Sequence, residues 1–186
     1  STLQGASFQV RGKAAGDAFE LRANAPRLTL TAAGPEAENI EASLRLDGKL
    51  RGGSVRLRLN GLVPADSGLR GSKLTSELDL RLASGRLVGA LAGPLRWQAS
   101  SRQLELPGLA GDISFTRSGA RPLKFATEAD TRVDLQRSSA AGRFALRSEA
   151  QQVKGSWTLP RIDSTAIGFY IDVNRLDADT PLASRP

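Results

Sequence analysis

Four aspartates near the C-terminus, Asp163, Asp172, Asp177 and Asp179, are the residues of this sequence whose type and spacing come closest to chemistry. Carboxylates work in pairs, as acid and base, as nucleophile, or as ligands of a hard metal ion. In an extended strand Asp177 and Asp179 project to one side, so they are the pair to consider. No glycine-turn calcium loop or glycosidase pattern surrounds them, and the simpler reading is a solvated strand end. The remaining chemistry is closed off by composition. The 186 residues contain no His, no Cys and no Met, which excludes Ser-His-Asp and Cys-His nucleophiles, imidazole or thiolate metal sites, and any disulfide. The segment Arg51-Gly-Gly-Ser54 lacks phosphate-loop spacing and a following helix, so it reads as a turn. The sequence therefore predicts no catalytic residue, no metal site and no cofactor. An acid-pair hydrolase near Asp177 is the one enzymatic option left.

Charge points to a surface and not to a reaction. Lys and Arg total 26 against 19 Asp and Glu, a formal charge of +7. Arg45, Arg56, Arg58 and Arg81 invite a nucleic-acid reading, yet Asp47, Glu77, Asp79, Glu105 and Asp134 are interleaved with the arginines. Aromatic residues make up only 5% of the chain, too few for base stacking. A mixed-sign solvated face without nucleic acid is expected, with the positive excess suited to anionic lipid headgroups.

The elements that must carry these residues are strands. Ile40, Ala42, Leu44, Leu46 and Leu50 alternate with Glu41, Ser43, Arg45, Asp47 and Lys49, one dry face and one wet. The pattern recurs at Val55, Leu57 and Leu59; at Leu74, Leu78, Leu80 and Leu82; at Leu95, Trp97 and Ala99; at Val133 and Leu135; at Phe144 and Leu146; and at Trp157 and Leu159. The count of 27 Leu and 26 Ala against 12 Ile plus Val favours helix by intrinsic propensity, but helical spacing is sustained nowhere and the alternation outweighs it. Punctuators fall between these segments: Gly12 to Gly16, Ala33-Gly34-Pro35, Gly52-Gly53, Pro64 to Gly71, Ser84-Gly85, Gly93-Pro94, Pro107-Gly108, Ser118 to Pro122 and Ser138 to Gly142. Connections this short suit antiparallel hairpins, since a parallel crossover needs about a dozen residues.

The expectation is an all-β chain, a long antiparallel meander of about a dozen strands over residues 1–180, followed by a Pro-containing linker over 181–186. A chain that starts at Ser1 reads as a piece of a longer protein. Its runs without a charged side chain, such as Leu87 to Leu95, are far short of the roughly 20 apolar residues of a membrane-spanning helix. The dry face has three ways to be covered: folding into a sandwich, closing into a barrel, or curling into a groove that shelters a ligand. An outer-membrane barrel is disfavoured by the missing aromatic girdles. The residues expected to face such a ligand are Leu44, Leu46, Leu57, Leu78, Leu80, Leu82, Phe115, Phe125, Leu135, Phe144 and Leu146; the competing reading makes each an ordinary core residue.

Phe169-Tyr-Ile-Asp172-Val-Asn174-Arg-Leu176-Asp177-Ala-Asp179 breaks the leucine alternation. With Phe169, Ile171, Asp172, Val173, Leu176, Asp177 and Asp179 as its key positions, it resembles the segment of AsmA-family proteins in which an apolar-Asp-apolar-Asp stretch precedes Leu-Asp-apolar-Asp. Asn174 stands where an Asp is common, and Thr180-Pro181 replaces an expected Arg-Tyr. The leucine-rich hairpins before it look like the family's β region. The resemblance implies a non-enzymatic protein of the Gram-negative periplasm, attached to the inner membrane by an N-terminal helix outside these 186 residues. It further implies a curled sheet that shelters phospholipid or other acyl chains, and a part in outer-membrane assembly and lipid homeostasis beside other envelope assembly proteins. A structural or protein-interaction β-sandwich without a lipid ligand is the alternative.

Overall fold

The computed structural model describes residues 2–14, 17–48, 52–149, 152–161 and 168–174. Alternation produces what it predicts, strands throughout: β1 Thr2–Ala14, β2 Asp17–Leu30, β3 Pro35–Asp47, β4 Gly52–Ala65, β5 Gly68–Leu82, β6 Gly85–Gln98, β7 Gln103–Thr116, β8 Leu123–Asp134, β9 Ser139–Arg147, β10 Gln152–Leu159 and β11 Gly168–Asn174. They form one sheet in chain order, every pair antiparallel, with β1 and β11 as its two edges. Among the described residues each strand packs on its chain neighbours, with no more than a marginal contact between strands that are not adjacent, so the sheet is a single open layer and not a closed barrel. Eleven strands at about 4.8 Å spacing run on the order of 50 Å from edge to edge. Leu176, Asp177, Asp179, Asp163 and the 181–186 linker lie outside the described residues.

Two of the expected reversals are not reversals. Gly93-Pro94 lies inside β6 and Pro107-Gly108 inside β7, and both belong to a crease that crosses the sheet at right angles to the strands. On one side of it the apolar residues sit at Ala25, Ile40, Leu59 and Leu74; on the other they resume at Leu28, Ala37, Leu62 and Leu69. Leu59 to Leu62 is a step of three residues where simple pleating would take two. β6 steps by two, from Gly93 to Leu95, and the register accordingly slips between β5 and β6 at Gly71/Leu74, between β6 and β7 at Ala92/Arg96, and between β7 and β8 at Leu106/Leu109. Where a strand takes three residues for two, the extra one turns the following side chains back to the original face, and next to a strand that lacks it, such as β6, it is a bulge. Gly5, Gly61 and Gly108, at φ +75, +63 and +62, supply the left-handed backbone that the extra residue needs. Pro26, Pro94 and Pro107 fall on the same line, where the interrupted ladder asks for no N–H.

The crease is also where the sheet is best packed. Ala37, Leu59, Leu62 and Leu74 are its buried cluster, with Leu28, Ile40, Leu69, Leu95 and Leu106 packed against them from both sides of the line. Since residues from both halves meet in one cluster, the apolar face is continuous across the break. Leu74 is only 6% exposed, and Leu74→Ala is expected to cost about 3 kcal/mol, the middle of the range for a buried leucine. A shift of the denaturant midpoint measures it; a loss below about 1 kcal/mol would mean the crease is loosely filled.

Away from the crease, large side chains cover glycines on the neighbouring strand. Phe19 lies over Gly12, Phe144 over Gly155, and the Trp157 indole over Gly142, each pair directly opposite in register. A β-carbon at Gly12 would stand 2.8 Å from the Phe19 ring, so the glycine makes the room that the aromatic fills.

Candidate functional site: a one-sided apolar face

One row across the sheet shows how the face is built. Phe8, Ala23, Ala42, Leu57, Ser76, Leu91, Gly111, Thr127, Leu146 and Val153 stand opposite one another from β1 to β10. Its two hydroxyls are satisfied locally: Ser76 Oγ donates to the Leu91 carbonyl and Thr127 Oγ1 to the Phe125 carbonyl, each at 3.4 Å. The rows beside it carry Leu44, Val55, Leu78, Ile113 and Phe125, then Leu46, Leu80, Leu87 and Phe115.

Ten of the eleven residues expected to face a ligand share this side of the sheet: Leu44, Leu46, Leu57, Leu78, Leu80, Leu82, Phe115, Phe125, Phe144 and Leu146. Leu135 does not. β8 ends at Asp134, and Leu135 sits 52% exposed in the following turn, its N–H bonded to the Arg102 carbonyl at 3.0 Å. Ile171 is exposed on the edge strand β11, which also contains Phe169, Asp172 and Val173. The alternation missed the best-enclosed part of the face, Ala37, Leu62 and Leu109. Their only signal in the sequence is the three-residue step beside an aligned glycine or proline.

No second layer covers this face among the described residues. Phe8 is 58% exposed, Leu57 37% and Leu123 55%, while many of its other leucines are half-buried by one another.

The opposite face is a lattice of ion pairs linking adjacent strands: Arg58 with Glu41 at 3.1 Å, Arg56 with Glu77 at 3.7 Å, Arg132 with Glu105 at 2.7 Å, and Arg147 with Glu128 at 3.3 Å. Arg86 grips Asp79 through two hydrogen bonds, 2.9 and 2.8 Å, and holds its carboxyl below the usual range. At the end of the crease Asp130 accepts from the Gly108 N–H at 2.8 Å and pairs with Arg143 at 3.3 Å. A shallow polar cleft of about 650 Å³ opens between the rows of Arg22, Ser43 and Arg56 and of Asn24, Glu41 and Arg58. Arg58–Glu41 and Arg56–Glu77 pair within it, so it presents no isolated acid, base or nucleophile. Among the described residues no group of acidic side chains is placed to hold a metal ion, and no helix is long and apolar enough to cross a membrane.

Glu20 is the most perturbed group of the polar face. Its carboxylate accepts from Arg11 at 2.6 Å, Arg22 at 3.0 Å and Gln9 at 2.5 Å, which lowers its pKa from 4.5 to about 2. A depressed folded-state pKa means that the folded chain binds fewer protons than the unfolded one between those values. Stability from this group is full above about pH 4.5 and is lost as pH falls toward 2. Glu20→Gln is therefore expected to flatten the stability–pH profile in that window and leave its shape at neutral pH unchanged. An unaltered acid limb in urea melts would contradict the assignment.

Comparison of the chain with protein-family models, with curated proteins and with solved structures finds no match. What the geometry defines is a class: a one-layer antiparallel sheet with one apolar and one ion-paired face.

Proposed function

We propose that this chain is a non-enzymatic lipid-handling module whose apolar face shelters acyl chains. One observation carries the reading: an apolar face extends from strand to strand and across the crease, with the Ser76 and Thr127 hydroxyls in its central row bonded to backbone carbonyls, in a sheet with no second layer among the described residues and with Phe8, Leu57 and Leu123 in solvent. A soluble protein does not ordinarily leave so large a contiguous apolar area uncovered. Each methylene that an acyl chain withdraws from water onto it contributes about 0.8 kcal/mol without directional bonding, so neither nucleophile nor metal is required.

The resemblance of residues 169–179 to the AsmA family supports placing the module in a Gram-negative periplasm, attached to the inner membrane in the full-length protein. There it serves outer-membrane assembly and lipid homeostasis, with phospholipid as ligand and envelope assembly proteins as partners. A second reading is favoured by the edges of β1 and β11, which pair with no further strand among the described residues and offer backbone donors and acceptors to a partner strand; in it the sheet is a structural or interaction module. Native mass spectrometry of delipidated protein mixed with phosphatidylglycerol separates the two. The lipid reading expects bound phospholipid, and protein that takes up none supports strand pairing instead.

A further inference from the structure

The positive charge of this chain is concentrated along one rim of the sheet. The hairpins β1–β2, β3–β4, β5–β6, β7–β8 and β9–β10 all turn at one end of the strands, and the remaining hairpins turn at the other. Counting each turn with two flanking residues on either side, the described residues of the first rim carry seven basic side chains, Arg81, Arg117, Arg121 and Lys124 among them. Against these stand three acids, Asp17, Asp47 and Glu149. The same count at the second rim gives three of each: Arg102, Arg137 and Arg161 with Glu36, Asp66 and Asp134. Arg86 and Arg147 are engaged by Asp79 and Glu128 on the polar face, and Arg81, though exposed, lies in the field of Asp79, whereas Arg117, Arg121 and Lys124 in the β7–β8 turn are exposed with no acid paired to them among the described residues.

Leucines project from the same rim. Leu82, 39% exposed, closes β5 beside Arg81, and Leu123, 55% exposed, opens β8 beside Lys124. Leu82 and Leu123 belong to the apolar face at its outermost rows, and Arg81 and Lys124 to the polar face. An apolar tip that enters an acyl boundary while flanking long cations stay at headgroup level is the arrangement that binds an anionic bilayer. Nucleic acid would need base-stacking aromatics at the charged turns, and the described residues counted on this rim hold no Trp or Tyr and one Phe, Phe115, which stands opposite Leu87 and Leu123 in a row of the apolar face.

We propose that the rim formed by the β5–β6 and β7–β8 hairpins docks edge-on against an anionic phospholipid bilayer, so that the strands stand up from the membrane and the apolar face opens at its surface. The inference goes beyond acyl-chain sheltering and does not depend on it: vesicle binding reads the rim, uptake of single lipid molecules reads the face, and either can fail alone.

Flotation of the protein with phosphatidylglycerol-containing and pure phosphatidylcholine vesicles tests it. Binding to the anionic vesicles is expected at about 0.05 M salt, with loss at about 0.5 M, where charges are screened within a few ångströms. At about fivefold for each basic side chain near an anionic surface, reversing three charges in Arg117→Glu/Arg121→Glu/Lys124→Glu weakens binding by about a hundredfold or more. Leu82→Ser/Leu123→Ser lowers binding at constant charge, and Arg102→Glu/Arg137→Glu on the other rim leaves it unchanged. All these positions are exposed, and circular dichroism confirms that each variant is folded. No binding of the wild-type chain at low salt, equal binding to neutral vesicles, or equal loss from the opposite rim would each overturn the proposal.

Discussion

Replacing Phe8 and Leu57 together by glutamate is expected to abolish lipid uptake while leaving the protein folded. The two residues occupy one row of the apolar face, separated by Ala23 and Ala42, and both are substantially exposed, 58% and 37%. A carboxylate at either position stays hydrated in the free protein, so the fold does not pay to bury it. An acyl chain laid along the row must cover both, and stripping water from an unpaired carboxylate costs several kcal/mol. A loss of roughly a hundredfold or more in affinity for a fluorescent fatty acid follows, since about 1.4 kcal/mol corresponds to each factor of ten. The matched control is Arg58→Glu on the opposite face, where affinity is expected to stay within about twofold. Equal losses from both variants would mean that the probe binds by charge and not by the apolar rows.

The largest structural effect is expected from Gly53→Ala. Gly53, the second residue of β4, has φ +130, a region in which side chains are strained, and stands opposite Leu46 on one side and Leu80 on the other. A β-carbon there would overlap the carbonyl oxygen of Asp79, a backbone atom that moves only if β5 moves with it. Strain and overlap together are expected to cost about 3 kcal/mol or more, so the β4–β5 ladder frays at this end. Thermal melts followed by circular dichroism would show the fall, and hydrogen exchange would place it at the ends of β4 and β5. A change smaller than about 0.5 kcal/mol would show that this backbone relaxes freely.

The sheet was legible in the sequence because a two-residue period is a local signal. Leu44-Arg-Leu46 and Leu78-Asp-Leu80 declare their faces without reference to the rest of the chain, and Ser84-Gly85 and Ser118 to Pro122 declare their turns. The crease was not legible. One added residue between Leu59 and Leu62 reverses the phase of β4, and its meaning appears only when Leu28, Ala37 and Leu74 make compensating steps beside it. Gly93-Pro94 and Pro107-Gly108 have the composition of turns but lie inside strands where the register slips; the local chemistry resembles a turn in both cases, and only the cross-strand register separates the two. The residues expected to face a ligand were legible as members of one face to the same extent. Within the regular strands its members share a face, while Leu135, one residue past the end of β8, follows the alternation into a turn. The charged rim lay hidden for a related reason. Arg81 belongs to the β5–β6 hairpin and Arg117, Arg121 and Lys124 to the β7–β8 hairpin, and only the meander folds the two hairpins onto one edge.

The absence of native cysteine allows the central claim to be tested with single reporters. Leu57→Cys on the apolar face and Arg58→Cys on the polar face, each labelled with a polarity-sensitive fluorophore, place probes on adjacent residues of β4 that point to opposite sides. Titration of delipidated protein with phosphatidylglycerol is expected to shift the emission of the Leu57 probe to the blue and saturate, with no shift from the Arg58 probe. Silence at position 57, or an equal shift at both positions, would contradict the assignment of the apolar face as the surface that meets lipid.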